Sequence, residues 1–182
     1  MIEIRPYDAS DAEEVWSILE PIIVAAETYT LPPDMTREEA LAYWCAHGNI
    51  TQVALIGEKV VGTYYLRRNQ LGGGSHVANC GYMVDGQASG RGIARSMCLH
   101  SIEMAKQQGF RAMQFNFVVS SNARAVGLWR SLGFAIVGTI PEAFAHPERG
   151  FVDAFVMHRR LAERTISNGH QPSSLDQLIA VT

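Results

Sequence analysis

An α/β fold built on a mixed, mostly antiparallel sheet is predicted by three observations. Stretches of period-two alternation recur from the first residues to Arg159. Between them lie segments whose apolar residues recur at helical spacing. Two alternating stretches joined by a short turn, with a third close behind, form an apparent antiparallel meander. The resulting order is β-α-α-β-β-β-α-β-α-β-β.

The first strand is Ile2–Pro6. Ser10 with Glu13 then reads as a capping box, each side chain satisfying the other's free backbone N–H. Val15, Ile18, Leu19, Ile22 and Ala26 give the following helix one apolar stripe. Pro21 lacks an N–H and is expected to kink this helix or end it early. Pro32-Pro33 breaks the pattern, and Thr36 with Glu39 caps a second helix that turns Leu41, Trp44 and Cys45 inward. Thr51–Ile56 and Val60–Arg68 flank the turn Gly57-Glu58-Lys59 as a hairpin. Gly72-Gly73-Gly74 makes a second turn before a third strand, His76–Val84.

A helix with Ile93, Met97, Ser101, Ile102 and Ala105 on one side follows, stopped by Gly109. Arg111–Val118 alternates again, with Met113, Phe115 and Phe117 on one side and Gln114 and Asn116 on the other. Ala125, Leu128, Trp129 and Leu132 mark a short helix that ends at Gly133, where a left-handed backbone needs no Cβ. Phe134–Ile140 and Phe151–Arg159 close the pattern as strands, joined by a loop holding Pro141 and Pro147. A single domain over 1–164 is expected. In the remaining tail, 165–182, Ser174 followed by Leu175, Leu178 and Ile179 could cap a short helix, and a homodimer is plausible from the last strand and this tail.

Composition narrows the function classes. The 182 residues are 47% hydrophobic and 18% charged, which suits one well-packed domain and excludes disorder or a second full-sized catalytic domain. The formal net charge is −3 and no basic stripe occurs, so nucleic acid and anionic membrane are not the expected partners. Cys45, Cys80 and Cys98 are scattered without metal-ligand or CxxC spacing, so neither a disulfide framework nor a metal site is expected. The strand-like opening residues and the lack of a long apolar run complete the expectation of a cytoplasmic globular protein.

The segment Gly86–Ala94, between a strand and a helix, is suited to an anion. A helix's first turn carries unpaired N–H groups and partial positive charge, and Gly90 and Gly92 allow close approach of the backbone. No Lys-Ser or Lys-Thr pair follows, as a Walker loop requires, and no G-x-G-x-x-G is present.

Val84–Ala94 resembles motif A of the GCN5-related N-acetyltransferase (GNAT) superfamily, V-x-P-x-x-R-G-x-G-I-G/A. Asn122-Ala123-Arg124-Ala125-(x)3-Trp129-(x)3-Gly133-Phe134 is similar to the same family's N-x-x-A-x-x-x-Y-x-x-x-G-F, and the element order agrees along residues 1–161. The resemblance implies the GNAT fold and acetyl-CoA as co-substrate. It implies that backbone N–H groups of Gly90, Arg91, Gly92, Ile93 and Ala94 hold the pyrophosphate, with Ser89 in the same loop and Arg91 or Arg95 adding charge. Met83 and Val84 would pair with the pantetheine arm where the strand splays, and one N–H would polarise the thioester carbonyl. Asn122 would reach the pantetheine or acetyl end.

Departures from the family pattern point to the acceptor chemistry. Ser89 and Gly86 stand where Arg or Gln and Pro are usual. Trp129 replaces a tyrosine that protonates the thiolate in many relatives; an indole N–H has no useful acidity, so Trp129 packs against the cofactor or the core. Ala78-Asn79-Cys80-Gly81-Tyr82 matches a pattern in which many members carry Glu as the amine's base, and an amide cannot take a proton. Asn79 and Asn116 would instead orient a water or the substrate, or act as structural amides.

H-V-A-N-C-G-Y, Q-F-N-F and S-S-N further resemble the acetyltransferases of azetidine-2-carboxylate and related imino acids. That resemblance implies that Asn79 and Asn116 fix a small substrate or its attacking nitrogen. Glu27, Thr28, Tyr29 and Tyr82 are the expected substrate contacts, with Glu27 acting as a base through water or remaining a solvated carboxylate. The sequence therefore leads to direct acetyl transfer from acetyl-CoA to a small-molecule amine. Acetylation of a protein or peptide amine, or a non-catalytic CoA-binding sensor, are the alternatives.

Overall fold

The computed structural model describes residues 1–161, so the expected boundary at 164 and the tail helix lie outside the described residues. The elements are β1 (Ile2–Pro6), α1 (Ala12–Ala25), α2 (Arg37–Trp44), β2 (Ile50–Ile56), β3 (Lys59–Arg68), β4 (Val77–Val84), α3 (Ile93–Gln107), β5 (Ala112–Val119), α4 (Ala123–Ser131), β6 (Ala135–His146) and β7 (Gly150–Arg160). Their order is the one the sequence predicts. The seven strands form one sheet in the order β1-β2-β3-β4-β5-β7-β6. Every neighbouring pair is antiparallel except β4 with β5.

Helices cover both faces of the sheet. On one face α1 and α2 pack Val15, Leu19 and Trp44 against Val53, Tyr65 and Met83. On the other, Ile93, Met97 and Ile102 of α3 meet Tyr64, Leu66 and Met113. Burial from both sides explains why Val60–Leu66 is continuously buried rather than alternating. The polar Thr63 is tolerated there because its hydroxyl donates to Gln52 O at 2.9 Å and accepts from the Trp44 indole at 3.0 Å.

The Thr36–Glu39 capping box forms as read, but the first one lies elsewhere. Asp8 and Asp11 make it, with Ser10 donating to Asp8, and α1 starts at Ala12 without a side-chain cap. The reason is tertiary: Arg5 holds the Asp11 carboxylate through two bonds of 2.7 Å, which fixes Asp11 beside the Asp8 N–H. Pro21 does not end α1, which runs on to Ala25 and stops where Ala26 turns left-handed. In α2 Trp44 is fully buried, whereas Leu41 and Cys45 are half-buried.

The joining loop expected around Pro141 is also absent. β6 continues through Pro141 to His146, with a register shift between Ile140 and Phe144. It is the edge strand, where a residue without an N–H can be accommodated. The Glu142 N–H is taken up by the Asp153 carboxylate at 3.0 Å.

Candidate active site

β4 and β5 share only two ladder pairs, Val77 with Ala112 and Ala78 with Met113, and then part. Asn79 stands at the branch point, buried, its amide NH2 donating across the gap to Gln114 O at 3.0 Å. Further along β5, Asn116 and Phe117 together oppose the single residue Val156, a bulge between the pairs Phe115–Met157 and Val118–Phe155. The bulge breaks the expected alternation. Phe117 leaves the side of Met113 and Phe115 and packs near Phe144, with 6.3 Å between ring centroids. Asn116 is exposed and donates to Asn69 Oδ1 at 2.7 Å.

The parting opens a cleft of about 720 Å³. Asn69 N–H to Val77 O and Asp85 N–H to Val61 O show that the odd-numbered positions of β4 spend their backbone groups on β3. Met83 is among them, so its backbone faces β3 while its side chain is buried under α1. The backbone groups of Cys80, Tyr82 and Val84 face the parted side. At Tyr82 they are already engaged: the Tyr29 hydroxyl donates to Tyr82 O at 2.8 Å and accepts from Tyr82 N–H at 2.9 Å.

One end of the cleft is the glycine loop. Gly90 and Gly92 have φ of +83° and +79°, and no side chain caps α3, so its first-turn N–H groups lack side-chain acceptors. Arg124 of α4 donates to Ser89 Oγ at 2.7 Å. Arg95 lies alongside and donates to Ser131 Oγ at 3.1 Å. Arg91 is exposed and does not line the cleft. Asn122 caps α4 by accepting from Ala125 N–H at 3.1 Å, and it also borders the cleft. Trp129 packs its ring 5.1 Å from both Tyr82 and Phe115, so it is at once core and cleft wall.

At the other end, Thr28, Tyr29 and Thr30 form a roof, and Tyr43, Tyr65 and Arg67 form the wall. The Tyr82 ring faces the opposite side of the sheet, where its hydroxyl meets Ser101 Oγ at 2.7 Å; an acceptor in the cleft would not reach it. Glu27 does not line the main cleft. It borders an adjoining recess of about 190 Å³ with Thr28, Ser121, Asn122, His146 and Glu148. His146 is buried there at the end of β6, with Nδ1 accepting from Glu148 N–H at 3.2 Å.

The cleft's electrostatics follow from this lining. No carboxylate or imidazole lines it among the described residues, whereas Arg67, Arg95 and Arg124 do. Burial raises the Tyr29, Tyr65 and Tyr82 phenols above their ordinary range and pushes the Cys80 thiol up to about 12. At neutral pH these groups are protonated, which leaves a positively charged cleft suited to anionic ligands.

The parting strands, the glycine loop and the uncapped helix start all lie within residues 14–134. A model described as the acetyltransferase (GNAT) family matches residues 14–134. The chain belongs to the GNAT acetyltransferase family. This GNAT chain is 26% identical over 151 residues to the N-acetyltransferase aca1 of Schizosaccharomyces pombe, covering 74% of this chain and 72% of that protein. To the L-amino acid N-acetyltransferase AaaT of Escherichia coli it is 33% identical over 108 residues, covering 59% and 65% respectively. A GCN5-related N-acetyltransferase structure from Kribbella flavida superposes with a TM-score of 0.84 at 40% identity, covering 87% of this chain and 97% of that one. A phosphinothricin acetyltransferase from Sinorhizobium meliloti, solved with acetyl-CoA, shares the GNAT fold at TM-score 0.79 and 19% identity, covering 94% of each chain.

Sequence reasoning on this acetyltransferase passed over Tyr43, Arg67 and Arg124, and offered Tyr65 only as one of three unchosen hydroxyls with Tyr64 and Tyr82. Arg124 stands inside the quoted Asn122–Phe134 motif. Tyr65 and Arg67 lie two apart on one strand and so share a face, a signal present in the sequence but without meaning until β4 and β5 part.

Proposed function

We propose that this enzyme transfers the acetyl group of acetyl-CoA to the amine of a small amino or imino acid, by direct attack while both are bound. The observation that carries the small-acceptor reading is the pair of hydrogen bonds from Tyr29 to Tyr82. They pin the α1–α2 connection across the cleft, so the acceptor end is a roofed aromatic chamber and not the open groove a peptide needs. The name of the Escherichia coli relative points the same way.

Acetyl-CoA fits the rest of the cleft. The uncapped N–H groups of Ile93 and Ala94, the loop around Ser89, Gly90 and Gly92, and the Arg124 and Arg95 guanidiniums are suited to its phosphates. Val84 offers its backbone groups to the pantetheine arm, Asn122 reaches its acetyl end, and Trp129 supplies an apolar wall. Asn79 keeps the strands apart at the branch point, and Asn116 at the rim holds the acceptor or an ordered water. A neutral amine attacks the thioester carbonyl, and the tetrahedral adduct collapses with cleavage of the C–S bond so that CoA leaves as its thiolate, with positioning supplying much of the acceleration. Its proton leaves through water toward the recess holding Glu27 and His146, since among the described residues the main cleft presents no carboxylate or imidazole.

A non-catalytic sensor is the second reading, favoured by that same lack of a base. Release of CoA is the deciding test, with azetidine-2-carboxylate, other proline analogues, phosphinothricin, polyamines and a ribosomal peptide as acceptors. Saturable turnover with the amino and imino acids is expected. Turnover confined to the peptide, or tight acetyl-CoA binding with no turnover across the panel, would overturn the proposal.

A further inference from the structure

We infer that Arg67 is the anchor for the acceptor's carboxylate and thereby selects α-amino and imino acids over other amines; this rests on the acceptor class proposed above. Several other arginines have side-chain partners. Arg5 is held by Asp11, Arg37 by Glu13, Arg124 by Ser89 and Arg95 by Ser131. Arg67 projects into the cleft with no carboxylate within 4.0 Å among the described residues. Among the described residues the guanidinium makes one hydrogen bond, from Nε to Asn79 Oδ1 at 3.4 Å. Both terminal amino groups of the guanidinium are left for a ligand.

The guanidinium is nevertheless held in place. Its central carbon lies 4.8 Å from the Tyr65 ring centroid and 5.7 Å from that of Tyr43, a stacked geometry that a cation finds favourable. Tyr65 is fixed in turn. Its ring lies where a side chain on Gly81 would stand, since a Cβ there would come within 2.6 Å of it, and it packs edge-on to Trp44 at 4.8 Å. The next residue, Tyr82, turns its backbone groups to the parted edge of β4. Arg67 starts opposite Asn79 in the β3–β4 register and leans over Tyr65 toward that edge.

Charge and shape indicate the ligand. A planar, pre-positioned fork with two free amino groups matches a carboxylate bidentately, whereas a polyamine would meet a like charge. The other cations of the cleft, Arg95 and Arg124, stand at the glycine loop, beyond the far end of β4. Asn79 to Val84 is five residues, roughly 16 Å of strand. Arg67 is therefore separate from the phosphate end and belongs to the acceptor.

The test compares azetidine-2-carboxylate with azetidine-2-carboxamide, and phenylalanine with phenylalaninamide, in the wild type, R67Q and R67K. The quantity read is the ratio of kcat/KM for acid over amide, with thermal unfolding and acetyl-CoA affinity recorded to confirm that each variant is folded. In R67Q the ratio should fall about tenfold to a hundredfold, chiefly through KM for the acid, as expected for loss of a charge-assisted pair. R67K, which keeps the charge without the fork, should recover part of it. An acid-to-amide ratio that is the same in all three proteins would overturn the role of Arg67 while leaving the amino-acid reading intact. No turnover of either acid by the wild type would instead overturn that reading, and this inference with it.

Discussion

The hydroxyl of Tyr29 occupies both backbone hydrogen-bonding groups of Tyr82, at 2.9 Å from N–H and 2.8 Å from O. One side chain from the α1–α2 connection thus satisfies the strand edge that the parting of β4 from β5 would leave bare. Tyr29→Phe leaves a donor and an acceptor without a partner. The unfolding free energy in urea should fall by about 1–3 kcal/mol. The KM for the acceptor should rise as the roof loosens.

Asn79 and Asn116 should separate cleanly. Asn79 is buried and bonded across the branch point, so Asn79→Ala should lower stability by about 1–3 kcal/mol, because Gln114 O loses its partner. Asn116 is exposed, and Asn116→Ala should shift stability by no more than about 0.5 kcal/mol. A fall in kcat/KM for Asn116→Ala at unchanged melting temperature would assign Asn116 to the acceptor. Unchanged kinetics would make it a surface amide.

Gly81→Ala places a Cβ 2.6 Å from the Tyr65 ring, and Trp44 behind that ring blocks retreat. Overpacking of this kind destabilises by about 1–3 kcal/mol. The acceptor KM should rise more than that for acetyl-CoA, because Tyr65 carries Arg67 and not the glycine loop. Equal effects on both would show that the disturbance spreads along β4.

Cys80 borders the cleft, yet burial pushes its thiol up to about 12. At pH 7.5 the side chain is then overwhelmingly the neutral thiol and not the nucleophilic thiolate. Intersecting initial-velocity plots, not parallel ones, are expected, and Cys80 should resist a disulfide reagent in the native protein while reacting in urea. A burst of CoA release without acceptor would contradict this.

Stability at low pH should depend on Asp11. Arg5 holds its carboxyl below the ordinary range, so the folded state binds fewer protons than the unfolded one. The pair's contribution is therefore present above about pH 4, the ordinary aspartate range, and is lost as pH falls through the depressed folded value. Asp11→Asn should cost about 1–2 kcal/mol at pH 7 and flatten part of the acid limb in urea unfolding measured from pH 7 to pH 2.

Several features are legible in the sequence because their causes are local. The Thr36–Glu39 box needs only its own four residues, and α3 begins where Gly90 and Gly92 allow positive φ. The order of strands and helices follows from apolar period, and the two GNAT motifs rest on spacing alone. The first capping box is an instructive contrast. Ser10–Glu13 and Asp8–Asp11 are both reasonable locally, and Arg5, brought close by the start of the sheet, decides between them.

The chemistry of the cleft has non-local causes. The alternation of β5 cannot reveal the bulge at Asn116 and Phe117, because the count of residues opposite them belongs to β7. Nor can it tell that Pro141 sits on an edge strand and need not end β6. The sequence by itself determined the family, the element order and the glycine loop, through short-range spacing and backbone freedom. Only the tertiary structure decided which side chains face the cleft, because β4 and β5 part after two pairs. That parting opens the cleft beside Arg67 and draws Tyr29 onto the strand edge, joining residues 53 positions apart.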